Sequence, residues 1–175
     1  MLRIEFKPTV AEMINQLDGL EDALRVKAIR SGLIAAVGPV KKAMKASVPV
    51  GSGRLRSSIS HRSLSKRQMT RVASGDEVGL LVGPTKKVAG PNGKKRQMGW
   101  LANILEEGAK PHRIQARKGG VLRVGRHGIA RMVEHPGVKP RHWMRNAYES
   151  SQHGLERRFY QGLKKYLEQK GVPTA

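Results

Sequence analysis

The stretch Val26-Lys27-Ala28-Ile29-Arg30-Ser31-Gly32-Leu33-Ile34-Ala35-Ala36-Val37-Gly38-Pro39-Val40-Lys41-Lys42-Ala43-Met44 decides how the chain is read. Val26, Ile29, Leu33, Val37, Val40 and Met44 are spaced by 3, 4, 4, 3 and 4. That period puts them on one face of an α-helix. Arg25, Lys27, Arg30, Lys41, Lys42 and Lys45 fall mostly off the stripe, so the helix is expected to be amphipathic. Gly38-Pro39 interrupts it. A proline removes one backbone hydrogen bond at a cost of about 3 kcal/mol, so a kink or a break is expected, with Pro39 in the first turn of a second helix.

Upstream, Leu2-Arg3-Ile4-Glu5-Phe6 alternates like a short strand, and Thr9 with Glu12 has the form of a capping box opening a helix to about Leu17. Downstream, Pro49 to Gly53 forms a tight connection. Leu55, Ser57, Ile59 and His61 then alternate with Arg54, Arg56, Ser58, Ser60 and Arg62, which predicts a strand with one basic face. Val78, Leu80 and Val82 predict another, stopped by Gly83-Pro84. Residues 86–99 read as a basic loop, and Trp100, Leu101, Ile104 and Leu105 as a short helix closed by Gly108. Residues 110–134 read as a β-hairpin arm. Trp143, Ala147, Leu155, Phe159, Leu163 and Leu167 predict one long closing helix. The expected fold is a single α+β domain over residues 1–175. In it a long kinked N-terminal helix and a long C-terminal helix pack on a small antiparallel sheet with projecting basic loops.

Composition narrows the function. The 175 residues carry 34 Lys and Arg against 13 Asp and Glu, a formal charge of +21, which draws the chain toward polyanions or acidic protein faces. Residues 86–131 hold 12 of the basic and 2 of the acidic side chains. Only 4% of residues are aromatic. The core is therefore expected to be thin and aliphatic, with part of the stability coming from neighbouring subunits. The absence of cysteine excludes disulfides and thiolate sites and fits synthesis in a reducing cytoplasm. No apolar run approaches the roughly 20 residues of a membrane span, so a soluble chain without a leader is expected.

Catalysis is not indicated. Glu106, His112, Glu134, His135 and His142 lack metal-ligand spacing, and His112 and His135 adjoin prolines as turn histidines would. There is no G-x-S-x-G elbow and no P-loop. Glu106 and Glu107 are adjacent on a helix and so face different directions. The remaining signal is cationic: Lys86, Lys87, Lys94, Lys95 and Arg96, with Arg113, Arg117, Lys118, Arg123, Arg126 and Arg131. These can track phosphates without sequence preference or seat on an acidic protein neighbour. Trp100 alone among aromatics lies near them, which disfavours base stacking.

Four segments, in order, resemble the head–tail joining (neck, minor tail or tail-completion) family of long-tailed bacteriophages. They are the helix of residues 23–46 running into Ser47-Val48-Pro49-Val50-Gly51-Ser52-Gly53-Arg54-Leu55-Arg56-Ser57-Ser58-Ile59; Val78-Gly79-Leu80-Leu81-Val82-Gly83-Pro84; Trp100-Leu101-Ala102-Asn103-Ile104-Leu105-Glu106-Glu107-Gly108-Ala109; and His135-Pro136-Gly137-Val138-Lys139-Pro140-Arg141-His142-Trp143-Met144-Arg145-Asn146-Ala147. Gly108-Ala109 stands where Gly-Thr is usual, Trp143 where Phe is common, and the basic insert at 86–99 is less usual. The resemblance implies a structural virion protein without cofactor, made in the host cytoplasm and located at the neck. There it would form a ring, six copies by analogy, against head-connector or stopper and tail-terminator or tail-tube proteins, with passing genomic DNA as a further contact. It makes Trp143, Met144, Pro140, Trp100 and Leu105 candidate anchors, Trp143 as core or as interface. Charge alone would favour a different class, a basic protein binding nucleic acid through the phosphate backbone.

Overall fold

The computed structural model describes residues 21–72, 78–90, 92–125 and 128–172; the strand and helix expected before Leu17 lie outside them. Helix α1 (Asp22–Ser47) runs 26 residues without interruption. Ile29, Leu33, Val37, Val40 and Met44 are buried as the spacing requires, and Val26 is half-buried. No second helix begins at Pro39, which lies inside α1. The buried Val37, Val40 and Met44 flank the proline, and each contributes about 1.5–3 kcal/mol on burial, more together than one lost hydrogen bond costs.

A second ridge on α1 is made of small residues. Ala28, Gly32 and Ala36 are buried, and they allow close approach of helix α6 (Leu155–Gln169). A Cβ at Gly162 would lie 2.5 Å from the Ala35 Cβ, and one at Gly32 would lie 2.8 Å from the Phe159 carbonyl oxygen. The Ser31 hydroxyl donates to the Gly162 carbonyl at 3.1 Å across this crossing. Leu155, Phe159, Leu163 and Leu167 line the facing side of α6 and are buried.

The single closing helix read from the sequence is two helices. Helix α5 (Trp143–Glu149) ends where the Ser150 and Ser151 hydroxyls donate back to the Ala147 carbonyl. Gly154, left-handed at φ 73°, opens α6. Both helices pack on α1.

The strand read over residues 54–62 is also corrected. Helix α2 (Arg54–Ser58) precedes strand β1 (Ser60–Ser63). Gly53 supplies the left-handed start, and the Ser57 and Ser58 hydroxyls donate to the Arg54 and Leu55 carbonyls. Leu55 and Ser58, three apart, then share the buried side. Helix α3 (Lys66–Val72) leads to β2 (Leu80–Gly83), which pairs antiparallel with β1, His61 opposite Val82.

The basic loop contains a two-residue ladder, β3 (Val88–Ala89) with β4 (Lys95–Arg96). Helix α4 (Gly99–Glu107) follows. The arm is a nested pair of antiparallel ladders. Strand β5 (His112–Gln115) pairs with β8 (Met132–His135), and further out β6 (Leu122–Val124) pairs with β7 (Gly128–Ala130). The fold is α+β with long helices toward both ends. Its strands form four two-stranded ladders among the described residues, and its core sits between α1, α5 and α6 with β2 alongside.

Candidate assembly interface

Two of the resembling segments meet at one place. Helix α5 begins after His142, whose φ of 47° is left-handed and whose side chain caps nothing. The missing cap comes from α4. The carboxylate of Glu106, 7% exposed, accepts the Met144 N–H at 2.7 Å and the Arg145 N–H at 3.1 Å. These are the second and third positions of α5, the donors that a local cap residue would satisfy, and the negative charge suits the positive end of the helix dipole.

The backbone adds to this clasp. Arg141 N–H donates to the Leu105 carbonyl at 3.0 Å, and Ala109 and Val138 exchange hydrogen bonds of 2.8 and 2.9 Å. Gly108 sits at φ 77°, and a Cβ there would lie 2.6 Å from the Val138 oxygen and 2.9 Å from the Pro140 nitrogen. Only glycine fits both the backbone and the space. Gly137, at φ 85°, closes against the Ala109 carbonyl from the other side. The Trp143 indole N–H reaches the Ala102 carbonyl at 3.4 Å.

The candidate anchors divide by depth. Trp143 is buried in the common core, and the Ser47 hydroxyl donates to its carbonyl at 3.2 Å. Met144 and Leu105 are half-buried against the same core, and Pro140 is exposed. Trp100 is not among the residues packed on that core and is 64% exposed. Ala102 and Glu106 face inward on α4, and a residue two positions before Ala102 is turned by about 200°, to the opposite side. Beside the clasp, a groove of ≈ 800 Å³ runs between β2, α4 and α5, lined among others by Val82, Pro84, Ile104, Glu107, Met144 and Arg145.

The cations lie on two projections. Lys86, Lys87, Lys94, Lys95 and Arg96 are exposed around the β3–β4 ladder, and Arg113, Arg117, Lys118 and Arg123 are exposed on the arm. Arg126 lies outside the described residues. The principal packing contacts join neither projection to the other. Arg113 is partnered by Glu134 across the β5–β8 ladder at 2.9 Å.

His112 and His135 are not turn residues. They are register partners in β5 and β8 with rings stacked at 5.0 Å. The His135 Nδ1 accepts the Gly137 N–H at 3.0 Å, and the His112 Nδ1 lies 2.9 Å from the Lys110 carbonyl oxygen. No group of three metal-ligating side chains occurs among the described residues, and no helix there is long and apolar enough to cross a membrane. His61, in contact with Lys41 Nζ at 3.5 Å, has its pKa lowered by burial and by that lysine's charge.

Sequence reasoning missed Glu106 as a structural residue. The available signal was the start of α5: Pro140-Arg141-His142-Trp143 contains no Ser, Thr, Asp or Asn to cap it, so a distant group had to serve.

Comparison with curated proteins and with solved structures found no match. A family match covers residues 11–135, which take in α1 through β8 and end before α5. That span is more than half of the 175 residues, and the chain belongs to the HK97-gp10-like family, described as "Bacteriophage HK97-gp10, putative tail-component".

Proposed function

We propose that this tail-component chain is a structural ring subunit at the phage neck, joining or completing the tail at the head–tail interface. One observation carries the reading. The Glu106–Gly108 and Gly137–Trp143 segments close into a clasp on the helical core, and the basic arm leaves the body directly from it, between Ala109 and Val138. Such a body anchors the root of a projecting element, as suits a subunit whose copies meet their neighbours at one set of contacts. The buried Trp143 and half-buried Met144 and Leu105 are the internal anchors of this platform; Pro140 and Trp100 are its exposed contacts.

The partners follow from the same reading. They are further copies of the chain, six by analogy with the resembling family, and the connector or stopper and tail-terminator or tail-tube proteins on either side. The protein then resides in the virion, and its role is architectural rather than catalytic. Native mass spectrometry of isolated head–tail junctions tests this: a closed ring of this subunit is expected on its neck partners, with a monomer or weak oligomer for the purified chain. A tight autonomous dimer with no ring in either sample would contradict it.

Exposed cations favour a second reading, a phosphate-backbone binder. Duplex affinity that falls steeply with salt, together with absence from purified virions, would favour it over the first.

A further inference from the structure

The arm carries a combination that electrostatics alone does not explain. Ile129 is 72% exposed, Val121 58%, Met132 48%, Val124 42% and Ile114 37%. They lie on both faces of the ladders, Ile129 pairing with Arg123 and the adjacent Val124 with Gly128, so the arm offers apolar contact on either side. Here they share the arm with Arg117, Lys118, Arg123 and Arg131, all exposed. Arg123 and Ile129 are register partners, and so stand side by side on the same face of the β6–β7 ladder.

A second observation points the same way. The β5–β8 and β6–β7 ladders are each two-stranded, and among the described residues neither has a principal packing contact with another element. A two-stranded ribbon with little packing against the body is at best marginally stable in water. Among the described residues no element packs broadly over it, and a surface that did so would stabilise it.

We infer that the arm is a docking element for an acidic protein surface with apolar recesses. Charge decides against a second copy as occupant, because a chain of +21 would bring a cationic arm onto a cationic body. The spread of apolar groups decides against DNA. A sugar–phosphate backbone offers nothing to Ile114 and Met132 near the root, and a groove-inserted wedge needs one apolar side chain at a tip rather than five along the arm. An acidic protein face uses both kinds of side chain: the cations steer and orient the encounter, and the apolar groups supply the desolvated contact. The inference rests on the neck reading only in taking that face to belong to a neighbouring virion protein.

The test uses the full chain and two probes, a random copolymer of glutamate and leucine and a duplex DNA of random sequence. The paired substitution Val121→Ser with Ile129→Ser removes exposed side chains only, and unchanged thermal melting checks that the fold persists. Affinity for the copolymer is expected to fall about tenfold or more, with DNA affinity unchanged. Unchanged copolymer affinity, or equal losses on both probes, would overturn the inference. A photo-crosslinking residue placed at Ile129 during infection gives the second readout. An adduct with an acidic virion protein is expected; an adduct with DNA or with another copy, or none, overturns the inference while leaving the neck reading standing if the protein is present in virions. Absence from virions sinks the neck reading, and the copolymer result then decides the arm by itself.

Discussion

The carboxylate of Glu106 on α4 accepts the backbone N–H of Met144 on α5 at 2.7 Å, across 38 residues of chain. One side chain thus serves as the N-cap of a helix to which it does not belong, and ties the segments on either side of the arm. Glu106→Ala leaves two inward donors without a partner and should cost about 1–3 kcal/mol. Glu106→Gln keeps an acceptor oxygen without the charge and should cost less. Glu107→Ala, at an exposed neighbour, should fall within about 0.5 kcal/mol. Urea denaturation followed by circular dichroism ranks the three; equal effects at 106 and 107 would remove the capping role.

The two tryptophans should behave oppositely. Trp143 is 2% exposed and Trp100 64%. Trp143→Ala should destabilise by about 3–5 kcal/mol, and Trp100→Ala by about 0.5 kcal/mol or less. If Trp100 is a contact in the assembly, its substitution should reduce the yield of joined particles with the melting temperature unchanged. Thermal melts paired with electron microscopy of lysates separate the two effects.

Glycines within helices give a sharper contrast. Gly162→Ala gains about 1 kcal/mol of helix propensity but drives a methyl against Ala35 and the Ser31 carbonyl, an overpacking of about 1–3 kcal/mol. The net should be destabilising. Gly38→Ala meets nothing within 4 Å and should stabilise by about 0.5–1 kcal/mol. Opposite shifts in denaturation midpoint are the expected result, and shifts of the same sign would refute the close crossing of α1 and α6.

These contrasts show what the sequence could and could not reveal. The stripe from Val26 to Met44 was legible because large apolar residues keep one period over many turns. The parallel ridge of Ala28, Gly32 and Ala36 was not, since small residues show their value only against a partner helix. Arg54 to Ser58 read as a strand because Leu55 and Ile59 also fit alternation; the left-handed Gly53 turns the chain into a helix there, with the serine hydroxyls bonded to carbonyls three residues back. Trp143 with Ala147, and Leu155 through Leu167, each keep helical spacing, but Gly154 divides the two runs. Trp100 and Trp143 are chemically alike in the sequence, and only the inward face of α4 tells them apart. The exposed apolar groups of the arm were visible as residues, yet nothing in the sequence distinguishes an exposed valine from a buried one.

His61 provides a pH test. Its pKa lies below the ordinary 6.5 through burial and the charge of Lys41. As pH falls from about 6.5 toward that lower value, the unfolded chain binds a proton that the folded chain does not. The associated stability is therefore present above the window and lost as pH falls through it. His61→Gln should flatten this part of the stability profile relative to the parent, and an NMR titration should give His61 a midpoint below 6.5. A midpoint at or above that value would contradict the assignment.

Electron microscopy of intact virions carrying a labelled copy of the chain locates the subunit. Label density is expected as a closed ring at the junction of head and tail, with the arm reaching an acidic neighbour. Label spread along the tail shaft or over the head, or virions without label, would contradict a place at the neck.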